Sequence, residues 1–237
     1  MQRLYRIDGE AGRPHGPAVN DAARMLNAGG LALIPTETVY GIGVAVAAAA
    51  RGGDELPPEE SGYRRIFSVK RRDLAQTVPW LVGGPEDLDR YGRDIDPATR
   101  ALARELWPGA LTIVIKANER VPAFMQASDG TVALRASRSP VVAALVRACA
   151  CPLAVTSANT HGNPAPAAFA DVEPEVLAGV DIAIDAGTTP CRDASTIVSL
   201  VSGSLQIIRQ GALPAAEIER VAASAQIPPG DDGARAL

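Results

Sequence analysis

Between residues 34 and 211, short apolar runs repeatedly end in hydroxyls, fixed cations or glycine, and this punctuation constrains the fold more than any other feature. The strings are Ile34-Pro35-Thr36-Glu37-Thr38-Val39-Tyr40-Gly41, Lys70-Arg71-Arg72, Arg135, Thr156-Ser157-Ala158-Asn159, Ser195-Thr196 and Arg209-Gln210-Gly211. Most follow an apolar run or close a predicted helix. Strand ends and helix ends are where an α/β protein assembles a pocket. Hydroxyls combined with fixed cations suit a ligand rich in phosphate and carboxylate.

The spacing of apolar residues predicts helices over 18–28, 63–72, 97–106, 140–150 and 214–223. Gly29-Gly30 stops the first, Pro97 sits in the first turn of the third, and Ser139 caps the fourth. Short apolar runs predict strands over 31–35, 78–82, 111–116, 131–135, 153–156, 182–185, 196–200 and 205–209. Segment 44–50 is Ala-rich and fits either type. Segment 51–61, with Gly-Gly, Pro-Pro and four acids, reads as an exposed loop. Strands and helices are interspersed without strict alternation. This predicts an α/β fold with a mixed twisted sheet and flanking helices around a concave anion-binding cavity, rather than a pure βαβ repeat. The expected organisation is an N-terminal arm over 1–17, a single domain over 18–225 and a disordered tail over 226–237.

Composition narrows the class. With 237 residues, 47% of them apolar, the chain can bury one sizeable core. A net charge of −4 argues against bulk attraction to nucleic acid or an anionic membrane. No apolar stretch is long enough to span a bilayer, and the first 20 residues carry Arg3, Arg6, Asp8, Glu10 and Arg13 instead of an apolar signal core. The chain therefore reads as cytoplasmic, with no membrane partner. Cys149 and Cys151 are one residue apart, Cys191 is alone, and only His15 and His161 could join them, so no metal site is expected.

Each string has two readings. Segment 61–72 carries Arg64, Arg65, Lys70, Arg71 and Arg72 without an acid, as a solvated helix end would, or as an anion clamp. Lys70 and Arg72 can converge on one ligand only if the chain leaves the helix between them. Thr36, Thr38 and Tyr40 would share one face in extended geometry, either as ordinary strand hydroxyls or with Thr36 bonding a polar substrate. Gly41 and Gly43 would let backbone approach closely. Thr156 to Asn159 make a turn on any account, and a nest of hydroxyls and amides around phosphate or ribose on the functional one. Arg135 and Arg209 each end an apolar strand, and either could pair with a carboxylate or hold an anion. A Ser-His nucleophile at Ser157 and His161 is disfavoured, since no elbow motif and no orienting acid accompany it. Phosphate-loop and dinucleotide fingerprints are absent.

Taken together, the strings resemble the YrdC/TsaC family of threonylcarbamoyl-AMP synthases from about Ala18 to Leu213. The most specific parts are Pro35-Thr36-Glu37-Thr38-Val39-Tyr40-Gly41-Ile42-Gly43, Trp107-Pro108-Gly109-Ala110-Leu111-Thr112, Val132-Ala133-Leu134-Arg135 and Thr156-Ser157-Ala158-Asn159. The resemblance implies a nucleotidyltransferase that makes L-threonylcarbamoyl-AMP and pyrophosphate from L-threonine, bicarbonate and ATP. It further implies a place in the threonylcarbamoyl modification of tRNA adenosine, with tRNA or tRNA-modification proteins as partners. By similarity, Thr36, Arg135 and Ser195 should contact threonine and bicarbonate, and Lys70 and Arg72 should be catalytic on the triphosphate. Ser157, Asn159 and Arg209 should bind the nucleotide, with Thr131 a weaker candidate. Mg²⁺ should arrive with ATP, because no paired-carboxylate motif would cage it.

Four departures stand out. Asp73 replaces the family's usual proline after the Lys-x-Arg string, the acidic loop 51–60 is an insertion, and Ser139-Pro140 stands where His-Pro is common. The second domain of the family's long form is not expected. These departures leave two further readings, a diverged paralogue making another carbamoyl-adenylate and a non-catalytic RNA- or nucleotide-binding module.

Overall fold

The structure is a computed structural model and describes residues 3–7 and 16–225. The elements run β1 (Arg3–Arg6), α1 (Gly16–Asn27), β2 (Ala32–Pro35), β3 (Tyr40–Ala45), α2 (Val46–Ala49), α3 (Gly62–Lys70), β4 (Trp80–Leu81) and α4 (Asp87–Tyr91). They continue α5 (Pro97–Leu106), β5 (Leu111–Lys116), β6 (Thr131–Arg135), α6 (Pro140–Cys149) and β7 (Leu153–Ser157). The last are α7 (Pro174–Ala178), β8 (Ile182–Asp185), β9 (Thr196–Ser199), β10 (Gln206–Arg209) and α8 (Ala215–Ser224).

All ten strands join one sheet in the order β1-β8-β2-β3-β7-β4-β6-β5-β9-β10. The pairs β1–β8, β8–β2, β4–β6 and β5–β9 are parallel and the others antiparallel, so the sheet is mixed, as predicted. Successive side chains on a strand point to opposite faces, and here the two faces carry different cores. Leu33, Tyr40, Ile42, Trp80, Leu134, Ile113, Ala154 and Val198 point to the first face, under α3, α5 and α8. Their neighbours Ile34, Leu81, Leu153, Val155 and Ile184 point to the second face, where α1 and α6 pack with Leu26 and Leu145.

Several expected boundaries hold, among them α5, β5, β6 and β8. Pro97 and the Asp96 side chain, which accepts from Thr99 N at 2.9 Å, start α5. The ambiguous run 44–50 splits, because β3 ends at Ala45 and α2 begins at Val46. Strand β4 is only Trp80–Leu81. The arm expected over 1–17 contains β1, which pairs in parallel with β8 from Arg3↔Ile182 to Arg6↔Asp185, and it also contains Gly16 and Pro17 at the start of α1. The tail expected over 226–237 lies outside the described residues. Loop 51–60 is exposed and tied down: Arg51 donates to the Asn27 carbonyl, Asp54 accepts from Ala123 N at 2.7 Å, and Glu59 pairs with Arg64 at 3.2 Å. Among the described residues no helix is long and apolar enough to cross a membrane.

Candidate active site

Helices α1 and α6 cover only part of the second face. Beyond them, on β7, β4, β6, β5, β9 and β10, lies a cavity of about 100 Å³. Val155, Leu81, Arg135, Thr112, Ile197 and Arg209 form its sheet side, and Thr36, Thr38 and Ser195 border it. The register explains why these side chains share a face: Leu81 pairs with Arg135, Thr112 with Ile197, and Ile197 with Arg209. A bulge at Ile208 makes the last pairing, because it sets Arg209, not Ile208, opposite Ile197. A larger hollow of about 530 Å³ lies over α1, but its one arginine, Arg24, is already paired with Asp21. The smaller cavity is the one with convergent chemistry.

Gly41 and Gly43 do what the sequence suggested, and the reason is visible. A Cβ on either would lie 2.5 Å from a Val155 methyl on β7, and one on Gly43 would also lie 2.6 Å from the Ala154 carbonyl. Two glycines in β3 thus let β7 and Val155 come close at the cavity edge.

Thr36 and Thr38 lie past β2, as the strand predicted over 31–35 implies, but they do not share an extended face with Tyr40. They occupy the turn between β2 and β3, and their hydroxyls meet at 2.8 Å. The Thr36 hydroxyl donates to Val39 O at 2.7 Å and accepts from Val39 N at 3.2 Å, which shapes the turn locally. Tyr40 points the other way into the first core, its hydroxyl donating to Gly187 O at 3.0 Å.

Arg135 is buried and held on three sides. Its Nε donates to Gly109 O at 3.0 Å and its Nη1 to Thr38 Oγ1 at 2.9 Å, while Nη2 lies 2.7 Å from Glu37 Oε1. That last contact is an ion pair without hydrogen-bond alignment, so Nη2 has no directed partner. Burial works to raise the Glu37 pKa, but the Arg135 charge, the Ser137 hydroxyl and the Arg138 amide outweigh it and hold the carboxyl below its usual range. Ser195 Oγ meets Thr112 Oγ1 at 2.8 Å, and Arg209 Nη2 donates to Ser195 O at 2.7 Å. Burial lowers the Arg209 pKa.

The cations of segment 61–72 divide between the two readings. Arg64 pairs with Glu59, and Arg65 with Asp181 at 2.9 Å, as on a solvated or structural helix face. Arg71 caps α3 in the left-handed conformation at φ 51°, so the chain leaves the helix there. That exit lets Lys70 and Arg72 both reach the end of β7. Lys70 Nζ donates to Ser157 O and Asn159 O, each at 2.6 Å, and Arg72 Nη1 donates to Thr156 Oγ1 at 3.2 Å. Burial, reinforced by Arg72, pushes the Lys70 pKa down to about 8 against a weaker pull from Glu173.

The 156–159 turn differs from the expected nest, because it offers carbonyls to Lys70 instead of amides to an anion. Asn159 is itself engaged, donating from Nδ2 to Asn163 O at 2.7 Å. Lys70, Arg72 and Asn159 stand behind the cavity rim, while Thr36, Arg135, Ser157, Ser195 and Arg209 line it. Thr131 is not brought there. It begins β6 opposite Lys116, at the far end from Arg135, and its hydroxyl donates to Asp129 at 2.6 Å. Four residues of strand separate Thr131 from Arg135, about 13 Å.

Two departures from the family pattern find structural explanations. Asp73 Oδ1 accepts from Ala75 N at 2.9 Å in its own exposed turn, so its charge is turned into that loop. Ser139 accepts from Val142 N at 3.5 Å to cap α6 and donates to Pro35 O at 3.0 Å. Glu37 and Thr112 are the residues sequence reasoning passed over. The available signal for Glu37 was an acid inside an apolar and hydroxyl-rich string. Thr112 had only its place in the quoted Trp107–Thr112 string. Among the described residues, no group of three or more side chains is placed to hold a metal ion. Glu37, between cavity-lining Thr36 and Thr38, is taken by Arg135, Ser137 and Arg138.

Residues 24–211 match the family model for Sua5/YciO/YrdC, described as "Telomere recombination". A Pyrococcus abyssi threonylcarbamoyl-AMP synthase is 30% identical over 208 residues, which cover 88% of this chain and 58% of that protein. One from Xanthomonas campestris pv. campestris is 32% identical over 193 residues, covering 77% of this chain and 96% of that protein. The solved structure of Pyrococcus abyssi Sua5 complexed with L-threonine matches with a TM-score of 0.80 and 28% identity, over 93% of this chain and 60% of that one. Escherichia coli YciO matches with a TM-score of 0.75 over 89% of this chain and 96% of that one. At 19% identity this is a likeness of fold.

Proposed function

The chain belongs to the Sua5/YciO/YrdC family, and on that premise we propose that it is an L-threonylcarbamoyladenylate synthase. One observation carries the reading beyond family membership. Buried Arg135 and the bulge-aimed Arg209 flank a cluster of hydroxyls, and Lys70 and Arg72 stand behind its β7 rim, bonded to Ser157 O and Thr156 Oγ1. Relatives bear the name threonylcarbamoyl-AMP synthase, and one solved relative was crystallised with L-threonine. The chain spans 58% of the length of the Pyrococcus abyssi relative, and it spans 96% of the Xanthomonas one.

The chemistry needs little proton transfer from the protein. The threonine amine and bicarbonate condense to a carbamate with loss of water. A carbamate oxygen then attacks the α-phosphorus of ATP, the bond from that phosphorus to the β-phosphate bridge breaks, and pyrophosphate leaves. The attacking oxygen is already anionic, so the demands are position, water exclusion and charge stabilisation. Arg135, which lines the cavity, suits the threonine carboxylate, with Thr36 and Ser195 close by. Lys70 and Arg72 suit the triphosphate, and Ser157, Asn159 and Arg209 the rest of the nucleotide. Mg²⁺ would come on the triphosphate oxygens, since no group of three or more acidic, His or Cys side chains among the described residues is placed to hold it. The product would serve tRNA adenosine modification in the cytoplasm.

The test is release of pyrophosphate from ATP. Release is expected only when threonine and bicarbonate are both present, and Lys70→Ala or Arg72→Ala should abolish it. No turnover under conditions where a control synthase works would overturn the proposal. A mass-spectrometric screen of other amines separates it from a carbamoyl-adenylate synthase of different specificity.

A further inference from the structure

Three separate segments of the candidate site meet on Glu37. Its Oε2 accepts from the Ser137 hydroxyl, and its Oε1 accepts from Arg138 N at 3.0 Å. Its backbone carbonyl accepts from Cys191 N at 2.9 Å. The side-chain bonds fasten the β2–β3 turn to the chain just past β6. The backbone bond fastens the same turn to the loop that runs into Ser195. Those segments carry Thr36, Arg135 and Ser195.

The same Oε1 lies 2.7 Å from Arg135 Nη2, while Gly109 O and Thr38 Oγ1 hold the other nitrogens. A planar guanidinium hydrogen-bonded at two nitrogens and ion-paired at the third is held in one plane. Stability alone is a weak reason for such a pair, since an apolar replacement of a buried ion pair is often neutral or better. Fixed geometry beside a cavity is the stronger reason.

We propose that Glu37 is a positioning residue for recognition of the amino-acid substrate: its side chain sets the plane of Arg135, and holds the turn that carries Thr36 against the chain past β6, around the substrate carboxylate without touching substrate itself. This rests on the threonine reading above. It assigns Glu37 a geometric role rather than an electrostatic one, and the two make different demands on a substitution. Gln can present Oε1 to Arg138 N and Arg135 and donate its amide to Ser137. Asp keeps the charge but is one methylene too short to span Ser137 and Arg135 together.

The experiment measures threonine and ATP dissociation constants by calorimetry for the full chain and for Glu37→Ala, Glu37→Asp and Glu37→Gln. Threonine should bind about tenfold more weakly or worse in the Ala and Asp variants, with ATP affinity within about twofold of wild type. The Gln variant should stay within about threefold for threonine. If the Ala variant is too unstable to purify, the Asp and Gln pair carries the comparison. The assignment is overturned if Gln weakens threonine as much as Asp does, since charge would then be what matters. It is overturned equally if threonine and ATP weaken together, since the residue would then serve the fold alone. A wild-type chain that binds no threonine overturns the functional reading on its own arm and takes this assignment with it.

Discussion

Lys70 Nζ rests on the carbonyls of Ser157 and Asn159, and burial has pushed its pKa to about 8. Below that value it is an ammonium that can follow a phosphate. Above it the amine is neutral and loses that attraction. Under the proposed function, ATP affinity should be level up to about pH 8 and fall by about tenfold toward pH 10, as calorimetry across pH would show. Lys70→Ala should bind weakly throughout and lose the slope. Unfolding should not cause this loss. The folded pKa lies below the ordinary 10.5, so the unfolded chain binds the extra proton between the two values, and this group's contribution to stability rises with pH across that window. Far-ultraviolet dichroism should therefore stay native while affinity falls. Thr112→Val removes the hydroxyl that fixes Ser195 Oγ. It should raise the threonine KM by about threefold to tenfold, the worth of one such bond, with a smaller change for ATP. Arg135 and Arg209 could be named from sequence because each ends an apolar run, and Ser195 through the family resemblance alone. Glu37, Thr112 and the resting place of Lys70 could not, because a partner across 100, 83 or 87 residues decides them.

Gly43 and the Ile208 bulge act at the scale of the strand. A Cβ on Gly43 would lie 2.6 Å from Ala154 O, a backbone atom that cannot step aside. Gly43→Ala should cost about 1–3 kcal/mol in a urea melt, and adding Val155→Ala should recover only part of it. The bulge sets Arg209 opposite Ile197 on the cavity face; an unbroken register would have set Ile208 there. Elements with local signals were legible in the chain. Apolar spacing with Pro97 pointed to α5, and apolar runs to β5, β6 and β8. Strand β1 was missed because its short, cation-flanked sequence is ordered by pairing with β8, far along the chain. The conformation of Thr36–Thr38 beyond β2 stayed open because hydroxyl alternation looks the same in a strand and in a loop whose hydroxyls bond each other.

At the scale of the molecule, one face of the sheet is covered along its length and the other is divided. Leu145, fully buried on α6, belongs to the divided face's apolar half and does not itself line the cavity, though its cluster reaches Leu81 and Val155 at the cavity's edge. Leu145→Ala should lower stability by about 2–5 kcal/mol while leaving threonine and ATP KM unchanged at temperatures where the chain is folded. That outcome would show that the two halves of the face do separate work. The division also gives the substrates a place in the architecture. Threonine and nucleotide would lie against β7, β4, β6, β5 and β9 much as α1 and α6 lie against β8, β2 and β3. In the loaded protein they would act as a removable third layer, and loading should be felt well beyond the site. A hundredfold excess of ligand over its dissociation constant is worth about 2.7 kcal/mol to the folded state. Amide exchange should slow along the strands from β7 to β9 when both substrates are present, and hardly change under α1.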